Sequence, residues 1–140
     1  MILIDYSHQY KIDRLLQICQ DQPKIFRVKM AAAIYKGNRL VSYGFNSEKS
    51  HPFQAKWSRH PEAIYTHAEI DAIRNALKRD VDLTRCNLYI ARVTIRGQGL
   101  AEPCSGCHLA IKAFGLKNAF WTLDKSGIGS YYDCRPFVIA

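Results

Sequence analysis

Two short segments carry residue types that hold transition metals and activate water. One is His67–Glu69, within the stretch YTHAEIDAI, and the other is Pro103–Cys107, with the letters PCSGC. Histidine nitrogen and cysteine sulfur are ligands that zinc prefers, and a carboxylate beside a bound water can take its proton. Either segment alone is weak evidence, because patterns this short arise by chance. Whether the two segments form one site therefore depends on the helices and strands that position them.

Both segments come at the predicted start of a helix. Apolar residues recur at helical spacing from about His67 to Arg79 and again from about Cys104 to Phe114. Cys104 and Cys107 are three residues apart, so they share one face of their helix, and the helix N-terminus favours thiolates there. If the two helices begin side by side, His67 completes a set of three ligands. Three protein ligands leave a place for water, which indicates a catalytic zinc.

Glu69 is predicted to be the catalytic residue rather than a ligand. Zinc lowers the pKa of a bound water to about 7, and a carboxylate two residues from His67 can accept the proton that is released. A purely structural site would instead need a fourth protein ligand, and the remaining candidates are Cys86, Cys134, His60 and His108. None of them stands at the usual ligand spacing from a partner, and His108 should point away from the face that holds Cys107.

The bulk properties fit a globular protein. The chain has 140 residues with no repeat or linker, so we expect one domain over residues 1–140. No apolar run approaches the roughly 20 residues that cross a bilayer, and the start does not resemble a secretory signal. The cysteines do not suggest a disulfide framework. We therefore expect a cytoplasmic protein with no membrane partner. The formal charge of +8 favours anionic partners without distinguishing a nucleotide from a nucleic acid.

The periodicity of the chain predicts an α/β layered domain with a mixed sheet. The predicted elements are a helix over 7–20, strands over 26–35 and 39–45, a helix over 67–79, a strand over 87–95, a helix over 104–114 and a strand over 118–123. The letters KGNR indicate a hairpin, and the strand–helix–strand link predicts that the later strands are parallel. The segments 46–66 and 96–103 are predicted to be loops, and FVIA near the end is predicted as an edge strand.

The letters HAE and PCSGC together, in this order and each opening a helix, resemble the signature of the zinc-dependent cytidine and deoxycytidylate deaminase superfamily. This resemblance implies a three-layer α-β-α cytidine-deaminase-like fold with a central mixed sheet. It also implies Zn²⁺ as cofactor on the three ligands above, a zinc-bound hydroxide that attacks C4 of cytosine, and Glu69 as the proton shuttle. The backbone at Ala68 is implied to help hold the base.

The substrate within that superfamily is indicated by shorter features. YGFNS at Tyr43–Ser47 resembles the GYN segment of deoxycytidylate deaminases, whose asparagine contacts the sugar, so Asn46 is a candidate substrate-binding residue. The long segment before His67 also resembles that group. In contrast, HAEI and the EPC that contains Glu102 resemble the tRNA adenosine and guanine deaminases. We expect deamination of dCMP to dUMP. The alternatives are cytosine or adenine in DNA or RNA, or a free guanine or nucleoside.

The segment from Lys49 to Arg59 mixes cations with Phe53 and Trp57. The cations could hold a phosphate and the rings could stack on a base, or the rings could only anchor a solvated loop. We expect a small-molecule nucleotide as the substrate, with nucleic acid as the alternative, and a homo-oligomeric assembly.

Overall fold

A computed structural model describes residues 6–22, 29–50, 52–57, 65–132 and 135–139. The helices are α1 (Tyr6–Gln20), α2 (Pro52–Trp57), α3 (Ala68–Leu77) and α4 (Ser105–Ala113), with a 3₁₀ turn at Leu83–Arg85. The strands are β1 (Lys29–Lys36), β2 (Arg39–Phe45), β3 (Ser47–Ser50), β4 (Tyr65–Thr66), β5 (Asn87–Thr94), β6 (Gly97–Gly99), β7 (Asn118–Thr122), β8 (Ile128–Tyr132) and β9 (Arg135–Ile139).

A mixed sheet forms the centre of the fold, with the strand order β2-β1-β5-β7-β8-β9 and with β6 paired to β5. The predicted hairpin is confirmed as the antiparallel pair β1–β2. The strands that flank α4, β5 and β7, are parallel as predicted, whereas β8 returns antiparallel to β7. The strand predicted at FVIA is confirmed as part of β9, at one edge of the sheet. The segment 96–103, predicted as a loop, instead contains β6.

Helices cover both faces of the sheet and give three α-β-α layers. Successive residues of a strand point to opposite faces, so β1 serves two cores at once. Ala31 and Ala33 pack in one core with Ile12 and Leu15 of α1. The neighbouring side chains of β1 pack in the other core, whose members from α3 and α4 include Ile70, Ile73, Ala110 and Ile111. Within the described residues, no helix is long and apolar enough to cross a membrane.

The predicted loop over 46–66 is wrong, because this segment contains the short helix α2 and a two-stranded sheet of β3 and β4. Tertiary contacts stabilise α2, which is too short to be stable in isolation. The rings of Phe53 and Trp57 lie 5.9 Å and 5.7 Å from the ring of Phe114. Between them, Gln54 is buried. Residues 51 and 58–64 lie outside the described part of the chain.

A polar seam fixes α3 against β2. The Ser42 hydroxyl donates a hydrogen bond to the Ala72 carbonyl at 2.8 Å, and the Phe45 N–H donates to the Asp71 carboxylate at 3.1 Å. The Asn75 side chain donates to the Tyr43 carbonyl at 2.8 Å. These bonds join the helix to the strand at successive positions, and they set the location of the α3 N-terminus.

Candidate active site

The N-termini of α3 and α4 lie next to each other and bring the three predicted ligands together. His67 and Cys104 are the residues that precede the two helices, both with extended backbone, and Cys107 lies in the first turn of α4. His67 Nδ1 is 3.3 Å from Cys107 Sγ and 3.7 Å from Cys104 Sγ. Ligand atoms around a tetrahedral zinc are separated by roughly 3.5–3.8 Å, given its bond lengths. The two nitrogen–sulfur separations are within a few tenths of an ångström of these values, so the cluster is close to the geometry that zinc requires.

The donor set at this cluster contains three residues. His67, Cys104 and Cys107 offer ligand atoms that all lie within 4.8 Å of one another, in a search limited to the described residues. Cys86, one of the alternative ligands, is not part of the cluster. Its thiol donates a hydrogen bond to the Asp82 carbonyl at 3.5 Å. The alternatives Cys134 and His60 lie outside the described residues. The described residues thus supply three corners of a tetrahedron, which is the number of protein ligands typical of a catalytic zinc.

The two thiols of the cluster have opposite proton affinities. A hydrogen bond from Cys107, followed by one from His67, lowers the pKa of Cys104 to about 3. The contact with Cys104 and then burial raise the pKa of Cys107. The expectation that both cysteines are thiolates applies to the metal-bound pair; without a cation between them, only Cys104 has a lowered pKa, because one thiolate suppresses the ionisation of its neighbour. A divalent cation between the sulfurs would favour both thiolates.

Glu69 lies in the first turn of α3, beside the cluster, and only 3% of its surface is exposed. Its Oε1 is buried and makes no hydrogen bond within the described residues. Desolvation raises the pKa of this carboxyl group. A buried carboxylate oxygen without a partner is costly. Its placement next to three ligands fits a site in which a metal and its water complete the hydrogen bonding.

The two predicted substrate contacts lie near the start of α3 and at the end of β2. Ala68 is the first residue of α3 and is fully buried, and the N–H groups of a first turn have no partner within the helix. Asn46 follows β2, and its Oδ1 accepts a hydrogen bond from the Met30 N–H at 2.9 Å. That bond fixes the orientation of the Asn46 amide. Asn46 and Ala68 remain predicted substrate contacts.

Gln54 is a residue of the site that the sequence analysis did not single out. Its side-chain oxygen accepts a hydrogen bond from the His67 N–H at 2.9 Å. The available signal was the spacing of four residues between Phe53 and Trp57, which is a helical spacing that would have placed Gln54 on a short helix. These two aromatic side chains pack on Phe114, which favours the anchoring alternative over stacking on a base.

The cations predicted to hold phosphate are only partly described. Lys56 is exposed on α2, with its ammonium 5.8 Å from the centre of the Trp57 ring. The side chains of Lys49 and Arg59 lie outside the described residues. A separate groove of about 630 Å³ is lined by Lys36, Arg39 and Arg79, among others, beyond the C-terminal end of α3. It lies at the opposite end of that helix from His67, so it is not the metal site.

Comparison with known proteins gives a family and a fold. The family model of the cytidine and deoxycytidylate deaminase zinc-binding region matches residues 5–123 of the chain. No curated protein sequence matches the chain significantly.

Several solved structures are similar at low identity. Cytidine deaminase from Burkholderia pseudomallei has a TM-score of 0.63 at 17% identity, covering 89% of this chain and 91% of that chain. A dCMP deaminase from the cyanophage S-TIM5, in complex with dCMP and dUMP, has a TM-score of 0.60 at 18% identity, covering 87% and 85%. Cytidine deaminase from Mycobacterium leprae has a TM-score of 0.51 at 15% identity, covering 84% and 87%. These similarities establish the fold of the chain.

Proposed function

Because the chain belongs to the family of zinc-dependent cytidine and deoxycytidylate deaminases, we propose that it hydrolyses the 4-amino group of a cytosine nucleotide, converting dCMP to dUMP and ammonia. The observation that carries this proposal is the buried Oε1 of Glu69, which has no hydrogen-bond partner among the described residues, beside the cluster of His67, Cys104 and Cys107. A carboxylate in that position can serve a water molecule held at the open corner of the ligand set.

The division of labour at the site follows from the geometry. Zinc, when bound to His67, Cys104 and Cys107, would lower the pKa of a bound water to about 7, so that the water can lose a proton at neutral pH. Glu69 would accept one proton from that water and deliver it to N3 of the ring, and it would then carry the second proton, from the oxygen that has bonded to C4, to the departing amine, which leaves as ammonia. Burial raises the pKa of Glu69, which suits a group that must both accept and donate a proton within one turnover.

Two further residues are proposed to orient the substrate. The N–H of Ala68 belongs to the first turn of α3, where helical N–H groups have no intrahelical partner. It is proposed to donate a hydrogen bond to the base. Asn46 is proposed to contact a hydroxyl of the sugar. Its amide is held in one orientation by Met30, and a fixed amide costs less entropy when it binds a ligand than a freely rotating one does.

The choice of dCMP rests on the YGFNS segment and on the long segment before His67, both of which resemble deoxycytidylate deaminases. The cyanophage enzyme of the same fold was crystallised with dCMP and dUMP. The second candidate is a nucleic-acid deaminase, which the formal charge of +8 favours. A third, a guanine or nucleoside deaminase, is favoured by Glu102 in the EPC segment.

One experiment separates these candidates. Ammonia release is measured with dCMP, cytidine, guanine, adenosine and a single-stranded oligonucleotide, each over a range of salt concentrations. We expect turnover of dCMP with a shallow salt dependence, because a mononucleotide brings one phosphate. A nucleic-acid substrate would lose roughly 0.7 log units of affinity per phosphate contact for each tenfold rise in salt. Steeply salt-dependent deamination of the oligonucleotide without turnover of dCMP would establish the second candidate.

We also infer that residues 1–140 form a single deaminase domain and that the protein is a homo-oligomer. Sedimentation of the purified protein over a range of concentrations checks the second point, and a single cooperative unfolding transition checks the first. A monomer at all concentrations would contradict the proposed assembly.

A further inference from the structure

Helix α2 lies between the two helices that supply the metal ligands. Its aromatic residues Phe53 and Trp57 contact Phe114, which ends α4. Its buried residue Gln54 contacts the backbone of His67, which precedes α3. The helix therefore packs on the C-terminal end of α4 and hydrogen-bonds to the residue that precedes α3.

The hydrogen bond from His67 to Gln54 meets a requirement of the backbone. His67 has extended dihedral angles of φ −86° and ψ 151°, and its N–H precedes the helical bonding pattern of α3. The imidazole makes no capping bond to the helix, because the ring is directed to the two sulfurs. A backbone donor in this position must be satisfied by a side chain or by water. Gln54, with 2% of its surface exposed, supplies the acceptor.

Burial makes this contact directional. A neutral carboxamide costs free energy to bury unless it is hydrogen-bonded, so the buried Gln54 side chain is favoured in the orientation that keeps its bond to the His67 N–H. The peptide plane before His67 is thus held at one angle. Since the imidazole ring is three bonds from that nitrogen, a rotation of the plane would shift Nδ1 relative to both sulfurs.

We propose that Gln54 is a positioning residue for the metal site, which holds the backbone of His67 so that its Nδ1 meets Cys104 and Cys107 at the separations that zinc requires. Substitution of a residue that orients a metal ligand typically weakens metal affinity by about 10- to 100-fold. The consequence for catalysis rests on the proposed deaminase function, whereas the effect on metal binding does not depend on which substrate the protein uses.

The test replaces the acceptor while keeping the shape of the side chain. Gln54→Met has nearly the same length and no amide oxygen, and Gln54→Asn keeps the amide but withdraws it by one methylene group. Zinc affinity is measured by competition with a chromophoric chelator, and the visible spectrum of the cobalt-substituted protein reports the ligand geometry. We expect both variants to bind zinc about 10- to 100-fold more weakly and to show altered cobalt bands.

The matched control is Phe53→Leu, which loosens the packing of α2 but leaves the hydrogen bond in place. We expect this variant to unfold at lower denaturant concentration while its zinc affinity and cobalt spectrum stay those of the wild type. Gln54 variants that are less stable but have wild-type zinc affinity and cobalt bands would overturn the proposal, and either variant alone decides this if the other does not fold. Neither zinc affinity nor the cobalt spectrum depends on dCMP. An error in the proposed substrate would therefore leave both readouts unchanged, and the two proposals can fail independently.

Discussion

The backbone of α3 passes so close to Gly44 that a Cβ atom at position 44 would lie 2.2 Å from the Ala72 nitrogen and 2.3 Å from the Ala68 oxygen. A change of side-chain rotamer could not relieve such a clash, because the Ala72 nitrogen and the Ala68 oxygen both belong to the main chain. The glycine of the YGFNS segment therefore abuts the alanine of the HAE segment. The two segments that indicate substrate and chemistry are parts of one packed unit.

Gly44→Ala should consequently push α3 away from β2. We expect a loss of about 1–3 kcal/mol in the free energy of unfolding, which is typical of overpacking, together with weaker zinc binding because His67 moves with the helix. Urea denaturation and zinc titration measure the two effects. Gly99→Ala is the control, since its Cβ would meet the flexible Arg92 side chain at 3.2 Å. Equal stability of the two variants would contradict the expectation.

Glu69→Gln separates the chemistry from the fold. The residue is not a metal ligand, so we expect the variant to retain zinc, while the rate falls by about 10²–10⁴ because the proton carrier is lost. Stoichiometric zinc by elemental analysis and kcat with dCMP provide the measurement. The same change of charge at an exposed position, Asp124→Asn, should leave both quantities unchanged. A Glu69→Gln enzyme with near-normal kcat would refute the mechanism.

Cys104→Ala should lose the metal, because two protein ligands remain of three. We expect stability to fall as well, by the free energy that zinc binding contributes to the folded state. The comparison is Cys86→Ala, a buried cysteine whose thiol bonds to Asp82 instead of the cluster. Thermal unfolding with and without a chelator distinguishes the two, since only the Cys86 variant should respond to chelation. A Cys104→Ala protein with stoichiometric zinc would contradict the ligand assignment.

Asn46 has a structural contact and a proposed binding role, and two substitutions separate them. Asn46→Asp keeps an oxygen that can accept from the Met30 N–H but removes the amide donor, whereas Asn46→Ala removes both. We expect both variants to raise KM for dCMP, and only the alanine variant to lose stability, by about 1 kcal/mol. If KM stays at the wild-type value in the aspartate variant, the amide donor does not contact the sugar.

The phosphate of the substrate is expected to involve the cations of the segment from Lys49 to Arg59. Neutralising Lys49, Lys56 and Arg59 together should raise KM for dCMP more than for deoxycytidine, because only the nucleotide loses an ionic contact. Steady-state kinetics on the two substrates at one salt concentration measures the difference. Equal changes for both would exclude these residues from phosphate binding.

The sequence predicts the three residues that the structure brings together because the signals for them are local. His67 and Cys104 each begin a helix, and Cys107 follows one turn later, so helical periodicity alone predicts their faces. The hairpin of β1 and β2 and the parallel pair β5–β7 were predictable for the same reason, from turn residues and from a strand–helix–strand spacing.

The features that were missed depend on contacts between distant segments. Helix α2 has six residues, so a single helical spacing, from Phe53 to Trp57, is all the periodicity it shows, and it is stabilised by Phe114. The role of Gln54 arises only when His67 is placed beside it. The raised pKa of Cys107 likewise depends on the distance to a second thiol, which no spacing rule supplies.

The polar seam between α3 and β2 has a consequence for how the protein acquires its metal. Ser42, Asp71 and Asn75 hold the helix in place through bonds that do not involve any ligand of the cluster. We therefore expect the frame around the metal site to form without the ion, unlike that of a small zinc finger, which folds only as it binds. Zinc loading is then expected to be a bimolecular association with a prepared site. We expect the fraction of active protein to follow the supply of zinc, and molecules that have lost the ion to be reloaded without refolding.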